Sequence, residues 1–480
     1  MQNRTFHSIV WTGIERFGTQ VFQTVFAIIL ARLLLPEDYG LVAMVFIFLM
    51  LGLLLMDGGL SLALIQKKNP TEKDFSTVFW FNLGFGLLLY ATLFFCAPLI
   101  ARFFEQEILI PIVRIAGLNI VIWALTTIHG AKLDIALDFK RHAYITISAM
   151  LVSGFFGVWL ALSGYGVWAL VLKFLSNSTI RVLLLWIFGS GWRPQFVFCI
   201  ASFKSLFRFG SGYMLTNLLD SVYKNMFAVL IGRFYALKEL GFFQKANSLS
   251  SLLTTNISYT IAGRSFMPLQ TSLSDNPEEQ RKLFDRFLSL TCFIVFPLAI
   301  LFAVLAEPFV AFVLTERWLP IVPFIQILCL GYIWYPILVV NREMLLSRGF
   351  SRKNLMIDII AKTLGVIAFL IALPHGIVWI CVSIGFYAII DMIISMFFVK
   401  RYVKIRIIEQ LKIATPVFGL AVFSGVVAWF VMMGVARNVP TNEFMQLLFG
   451  GIAGLGVYAL GAHLLKFDEW KFMLNYLKRK

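Results

Sequence analysis

Apolar runs long enough to cross a lipid bilayer recur from one end of this chain to the other, each closed by a short polar or charged turn. A hydrocarbon core needs about 20 residues of helix to span it. Lipid offers the backbone no hydrogen-bond partners, so each run must satisfy its own peptide groups, which a helix does and an isolated strand does not. Hydrophobic residues make up 60% of the 480 and charged residues 14%, which leaves too little polar surface to clothe a water-soluble fold.

The runs predict helices over 8–34, 39–66, 76–101, 108–131, 143–163, 165–188, 206–233, 240–267, 284–306, 319–341, 352–373, 376–399, 411–433 and 444–464, about fourteen spans in all. Charge orders the turns between them, because cytoplasmic loops hold the excess of Lys and Arg. One alternating set carries Lys67, Lys68 and Lys73; Lys132, Lys140 and Arg141; Arg193 and Lys204; Arg281 and Lys282; Arg348, Arg352 and Lys353; and Lys400, Arg401, Lys404 and Arg406. Lys471, Lys478, Arg479 and Lys480 follow in the tail. The other set is short, with Glu37, Asp38, Glu105, Glu107, Glu307 and Glu316 and almost no bases. Both termini are therefore expected in the cytoplasm of a bacterial cell, with the protein in its inner membrane. A twelve-helix count, with one pair of runs not spanning, fits the same alternation.

The formal charge of +16 does not point to nucleic acid, since the bases are spread over every second loop and not clustered on one segment. Five dispersed cysteines without a CxxC pair or a histidine neighbour exclude a disulfide framework and a zinc site. The first run holds Glu15, Arg16 and Gln20 and lacks a small-residue cleavage site, so it reads as a retained helix. No GxxxxGK[ST] loop is present, and the chain is not its own ATPase. Gly450, Gly451 and Gly454 read as a close helix contact.

An internal repeat organises the spans. Arg32 precedes Gly40 by eight residues, and Arg233 precedes Gly241 by the same number. The turn from Gly164 to Trp168 has a counterpart from Pro374 to Trp379. Because the offset covers six helices, an even number, the halves share an orientation and form a parallel repeat. This divides the chain into a lobe over 1–200 (helices 1–6), a lobe over 201–405 (helices 7–12), and a remainder over 406–480 with helices 13 and 14. The fold class expected is an all-α polytopic membrane protein, two six-helix lobes around a central cavity.

Three spans carry polar residues at helical spacing. In the first, Ser8, Thr12, Glu15, Arg16, Thr19, Gln20, Gln23 and Thr24 share a face; in the seventh, Tyr213, Asn217, Asp220 and Lys224 do so; in the eighth, the series is Gln244, Asn247, Ser248, Ser251, Thr254, Thr255 and Ser258. Each central charge turned to lipid would cost roughly 2.5–3.5 kcal/mol, so these faces are expected to enclose water. Helical rise puts Arg16 roughly 12 Å and Lys224 roughly 24 Å from the inner ends of their helices. Lys245 falls near an outer end and Arg264 near an inner one. With Gln20, these four cations form an expected ladder for an anionic cargo.

The plainer reading stands beside it. Glu15 with Arg16, and Asp220 with Lys224, also fit structural ion pairs, while Lys245 and Arg264 sit where basic side chains snorkel. Asp358, Lys362 and Asp391 lie in spans without a polar stripe and are assigned to packing or capping; Asp57 is kept as a functional candidate. No residue set suggests a catalytic or metal centre.

The chain resembles the Wzx-like polysaccharide transporters, colanic acid exporter type, of the multidrug/oligosaccharidyl-lipid/polysaccharide exporter superfamily. The likeness rests on the run from Leu30 to Met44, on Asp57-Gly58-Gly59-Leu60-Ser61, Ser76-Thr77-Val78-Phe79-Trp80, Leu137-Asp138-Phe139-Lys140-Arg141 and Trp192-Arg193-Pro194. In the second half it rests on the run from Gly241 to Ala246 and on Glu316-Arg317-Trp318-Leu319-Pro320. It implies translocation of undecaprenyl-pyrophosphate-linked oligosaccharide by alternating access, a phospholipid membrane as the setting, polysaccharide polymerase machinery as a partner, and no enzymatic step. No cofactor is expected. A proton or cation gradient would supply energy, with Glu15, Asp57 or Asp220 titrating. The rivals are a multidrug/cation antiporter, whose cavity should be acidic, a peptidoglycan lipid II flippase and, from another class, a membrane glycosyltransferase or polymerase using Glu37 and Asp38.

Overall fold

A computed structural model describes the backbone of residues 2–273, 276–438 and 442–472, and their side chains apart from 2–17, 264, 265, 267, 268 and 438. The described residues form helices and turns without a strand. The chain divides into two compact units, Met1–Gly241 and Phe242–Lys480. Unit 1 holds α1 (Gln2–Leu33), α2 (Pro36–Asp57), α3 (Leu60–Gln66), α4 (Glu72–Phe104), α5 (Leu109–Ala124), α6 (Thr127–Ile135), α7 (Phe139–Leu162), α8 (Val167–Phe188), α9 (Ile200–Phe234) and the start of α10 (Leu237–Ser251). Unit 2 holds the rest of α10, then α11 (Ile257–Ser272), α12 (Pro277–Val304), α13 (Ala306–Phe309), α14 (Val322–Tyr332), α15 (Tyr335–Ser347), α16 (Ser351–Ala372), α17 (Ile377–Tyr402), α18 (Ile407–Asn438) and α19 (Glu443–Leu464).

Among the described residues, eleven helical stretches are long and apolar enough to cross a membrane. The protein is therefore polytopic. The expected fourteen adds α1, of which the part Gly18–Leu33 is a shorter apolar helix, together with α9 and the α10–α11 stretch, both of which carry polar stripes. Several expected spans are jointed. Residues 39–66 divide into α2 and α3 at Gly58 and Gly59, whose φ angles of 55° and 75° favour glycine. A side chain at Gly59 would stand 2.4 Å from the Gly210 carbonyl oxygen, so the joint also lets α9 approach. Residues 319–341 begin as a 3-10 turn, Glu316–Ile321, because Pro320 and Pro323 interrupt regular helix there.

The repeated glycines have a steric cause. A Cβ at Gly40 would lie 2.2 Å from the carbonyl oxygen of Leu237, and one at Gly241 would lie 1.9 Å from that of Pro36. The turns Gly164–Trp168 and Pro374–Trp379 behave alike: Gly166 and Gly376 precede α8 and α17 with positive φ.

Two motifs that are far apart in sequence meet on unit 1. The segment between α8 and α9 is pinned to the start of α4: Gln195 N–H donates to Ser76 Oγ at 3.1 Å, Cys199 N–H to Thr77 Oγ1 at 3.0 Å, and Trp80 Nε1 to the Gln195 carbonyl at 2.7 Å. Trp192 Nε1 donates to Glu72, which also holds Lys132 at 2.7 Å. The Ser76–Trp80 and Trp192–Pro194 motifs are therefore two halves of one packing joint. In unit 2, α12, α15, α17, α18 and α19 surround a continuous apolar core that includes Phe284, Phe296, Ile337 and Val417. Gly450 and Gly454 of α19 lie against α18, where Cβ atoms would come within 3.4 Å of Ala428, and these two make the close helix contact expected; Gly451 does not share it, since its Cβ would meet only Leu305 at 3.9 Å.

Candidate functional site

The polar stripes behave differently on each helix. On α1, Gln20 is exposed and its amide reaches Thr24 Oγ1 at 3.4 Å; Glu15 and Arg16 lie outside the residues whose side chains are described. On α9, Lys224 and Asp220 form an ion pair of 2.6 Å with Lys224 70% exposed. Tyr213 and Thr216 are exposed on the same helix. An exposed ion pair midway along a 35-residue helix needs water or a polar ligand beside it, since lipid would not tolerate it.

The α10–α11 stripe turns partly inward. Ser250, Thr254 and Ser258 are buried, and the Thr254, Thr255 and Ser258 hydroxyls donate to carbonyls four residues earlier at 2.7–2.8 Å. Backbone acceptors thus let hydroxyls enter the interior, and a five-residue π segment, Leu252–Asn256, falls in the same stretch. Asn247 accepts from the Tyr332 hydroxyl at 2.7 Å. Lys245 is 8% exposed, with its ammonium 5.8 Å from the ring centre of the fully buried Trp318. That setting is a packed cation–aromatic contact within unit 2. Arg264 lies on α11 with its side chain outside the described residues.

Asp57 closes the joint between α2 and α3, accepting from the backbone N–H of Ser61 at 3.4 Å and from its hydroxyl. Of the expected residues, Asp220 and Lys224 are brought together.

Two further groups stand out; in the first, Asp358, Lys362 and Asp391 are the residues expected in packing or capping, and Arg342 is the partner the sequence did not single out. In unit 2, Arg342 of α15 donates to Asp358 of α16 at 2.7 Å and to Asp391 of α17 at 2.6 Å, with Lys362 3.9 Å from Asp358. Each of the three lies roughly 8–17 Å from the same end of its helix by rise per residue. That shared depth of opposite charges on successive spans was the available signal. In unit 1, a cavity of about 650 Å³ opens among α1, α2, α5, α7 and α8, lined by Thr19, Gln23, Phe26, Thr146, Ser153, Lys173, Phe174 and Asn177, with Asp134 and His142 towards one end. Lys173, Asn177 and Arg181 recur every four residues within an apolar run, which is the mark of one helical face. Among the described residues, no group of three or more His, Cys, Asp or Glu is arranged to hold a metal ion.

Solved structures share this polytopic, all-helical fold. The lipid II flippase MurJ in an inward closed conformation superposes with a TM-score of 0.77 over 96% of this chain and 99% of that one, at 18% identity, a likeness of fold. The chain is 26% identical over 346 residues to the teichuronic acid biosynthesis protein TuaB of Bacillus subtilis, covering 71% of this chain and 70% of that protein. It is 25% identical over 334 residues to the lipopolysaccharide biosynthesis protein WzxC of Escherichia coli, covering 68% and 67%. Residues 29–323 match the family described as polysaccharide biosynthesis protein, and the chain belongs to that family.

Proposed function

We propose that this protein is a flippase that carries undecaprenyl-pyrophosphate-linked oligosaccharide units across the bacterial inner membrane for surface polysaccharide assembly. The observation that carries the reading is the exposed Asp220–Lys224 pair on a helix long enough to cross the bilayer, in a chain of the polysaccharide biosynthesis family. A water-facing cation at membrane depth suits a pyrophosphate or an acidic sugar, and the polyprenyl chain remains in lipid. On this reading both termini are cytoplasmic, and two six-helix lobes alternate access to a central cavity. Cargo passes to the polymerase machinery, and a proton or cation gradient supplies energy. The protein moves its cargo without chemical change.

The test is a deletion in the native bacterium, with lipid-linked repeat units assayed in each leaflet and polysaccharide at the surface. Accumulation of complete units facing the cytoplasm, with surface glycan lost, supports the flippase. Normal delivery to the outer leaflet with altered polymer length or drug tolerance replaces it with the polymerase or antiporter reading. Loss of peptidoglycan precursor from the outer leaflet would reassign the cargo to lipid II.

A further inference from the structure

We propose that the cavity inside unit 1 binds a carboxylate-bearing sugar, with Lys173 as its charge partner; this rests on the flippase reading and names a chemical class of cargo. The cavity's walls combine two kinds of group. Gln23 and Asn177 present amides, and Phe26, Phe46 and Phe174 present rings, with Phe46 and Phe174 edge to face at 6.0 Å. Sugar rings suit such a lining, hydroxyls against amides and C–H faces against aromatics. Lys173 supplies the charge. Its stem crosses α7 at Gly157, where a Cβ would come within 2.9–3.0 Å of it, and its ammonium sits 5.8 Å from the ring centre of Phe26.

Among the described residues no carboxylate stands within ion-pair distance of Lys173. The lining also includes Asp134 and His142. His142 is fifteen residues along α7 from Gly157, roughly 22 Å of helix. No described side chain offsets the charge of this half-buried cation, burial of an uncompensated charge is costly, and an anionic ligand would remove that cost. One ammonium matches a single negative charge; a pyrophosphate would call for several cations or a guanidinium fork. The volume is within the range of small-molecule sites and far larger than an inorganic monoanion requires. The geometry thus selects a uronate over a phosphate, a chloride or a neutral hexose.

Thermal unfolding of the purified full-length protein tests this, with sodium glucuronate, glucose and sodium chloride compared at matched ionic strength. A rise in Tm of a few degrees with glucuronate alone, lost in Lys173→Gln and kept in Lys173→Arg, is the expected result. Equal shifts from all three solutes, or an undiminished shift in Lys173→Gln, overturn the proposal; a shift reproduced by chloride assigns the site to an inorganic monoanion instead. Should Lys173→Gln fail to fold, the wild-type protein answers by mass spectrometry. Glucuronate should slow acylation of Lys173 by an amine-reactive reagent several-fold while exposed Lys224 reacts as before, and unchanged labelling of Lys173 counts against it. Neither measurement requires transport, so the sugar site can fail while the leaflet assay succeeds, and the reverse.

Discussion

Arg342 and Asp391 meet at 2.6 Å between α15 and α17, and the second guanidinium nitrogen holds Asp358 on α16. One side chain thus ties three helices of unit 2, with Asp391 nearly fully buried. Removing the cation alone leaves the buried Asp391 uncompensated and Asp358 with Lys362 at 3.9 Å as its remaining partner, which costs roughly 3–5 kcal/mol. Arg342→Ala should therefore lower the unfolding temperature sharply in detergent. The triple variant Arg342→Met, Asp358→Asn, Asp391→Asn should recover most of the loss. A mild Arg342→Ala, or a triple variant no better than the single one, would show that the cluster is not the tie described.

The Asp220–Lys224 pair calls for the opposite balance. Surface ion pairs contribute about 0–1 kcal/mol, so Lys224→Ala should purify and melt like the wild type. Export should fall severely, measured as surface polysaccharide in a complemented deletion strain. Exchanging the two residues, Asp220→Lys with Lys224→Asp, keeps the pair but moves the cation by one helical turn. Full export by either variant would reduce the pair to a structural role.

The joint between α4 and the segment before α9 can be dissected at Trp192. Trp192→Phe removes the donor to Glu72 but keeps a ring beside Phe75 and Phe79, a loss of about 1 kcal/mol. Trp192→Ala empties the site and should cost about 3–5 kcal/mol. Membrane abundance should accordingly be near normal for the first and strongly reduced for the second. Equal abundance of the two would separate this joint from stability.

Gly241→Ala should abolish folded protein, since its Cβ would fall 1.9 Å from the Pro36 carbonyl oxygen. Gly456→Ala in α19 meets nothing within 4 Å and should be neutral or slightly stabilising, by up to about 1 kcal/mol. Size-exclusion profiles of the two variants make the comparison, and a well-behaved Gly241→Ala would refute the close approach.

The architecture was legible because lipid imposes one rule on every span, and a rule obeyed many times survives local exceptions. The joints at Gly58 and Pro320 were harder to read: glycine and proline mark them in the sequence, but the apolar run continues past both, and the positive φ angles at Gly58 and Gly59 and the 3-10 turn at Pro320 appear in the structure alone. Polar stripes were legible as periodicity, but their facing was not. Lys245 flanks a stripe in sequence and is buried against Trp318 in the structure, because an aromatic far along the chain supplies its surroundings. Arg342, Asp358 and Asp391 share no period, as each belongs to a different helix, and Lys173 was concealed by the hydrophobicity of the run around it.

The turns at Pro36–Gly40 and Leu237–Gly241 touch reciprocally: Gly40 fits beneath Leu237, and Gly241 fits beneath Pro36. Each turn therefore presses a carbonyl oxygen onto the glycine of the other, and neither glycine has room for a side chain. The two turns act as one clasp: a substitution on either side opens the same contact, so damage at residue 40 and damage at residue 241 should be alike although roughly two hundred positions separate them.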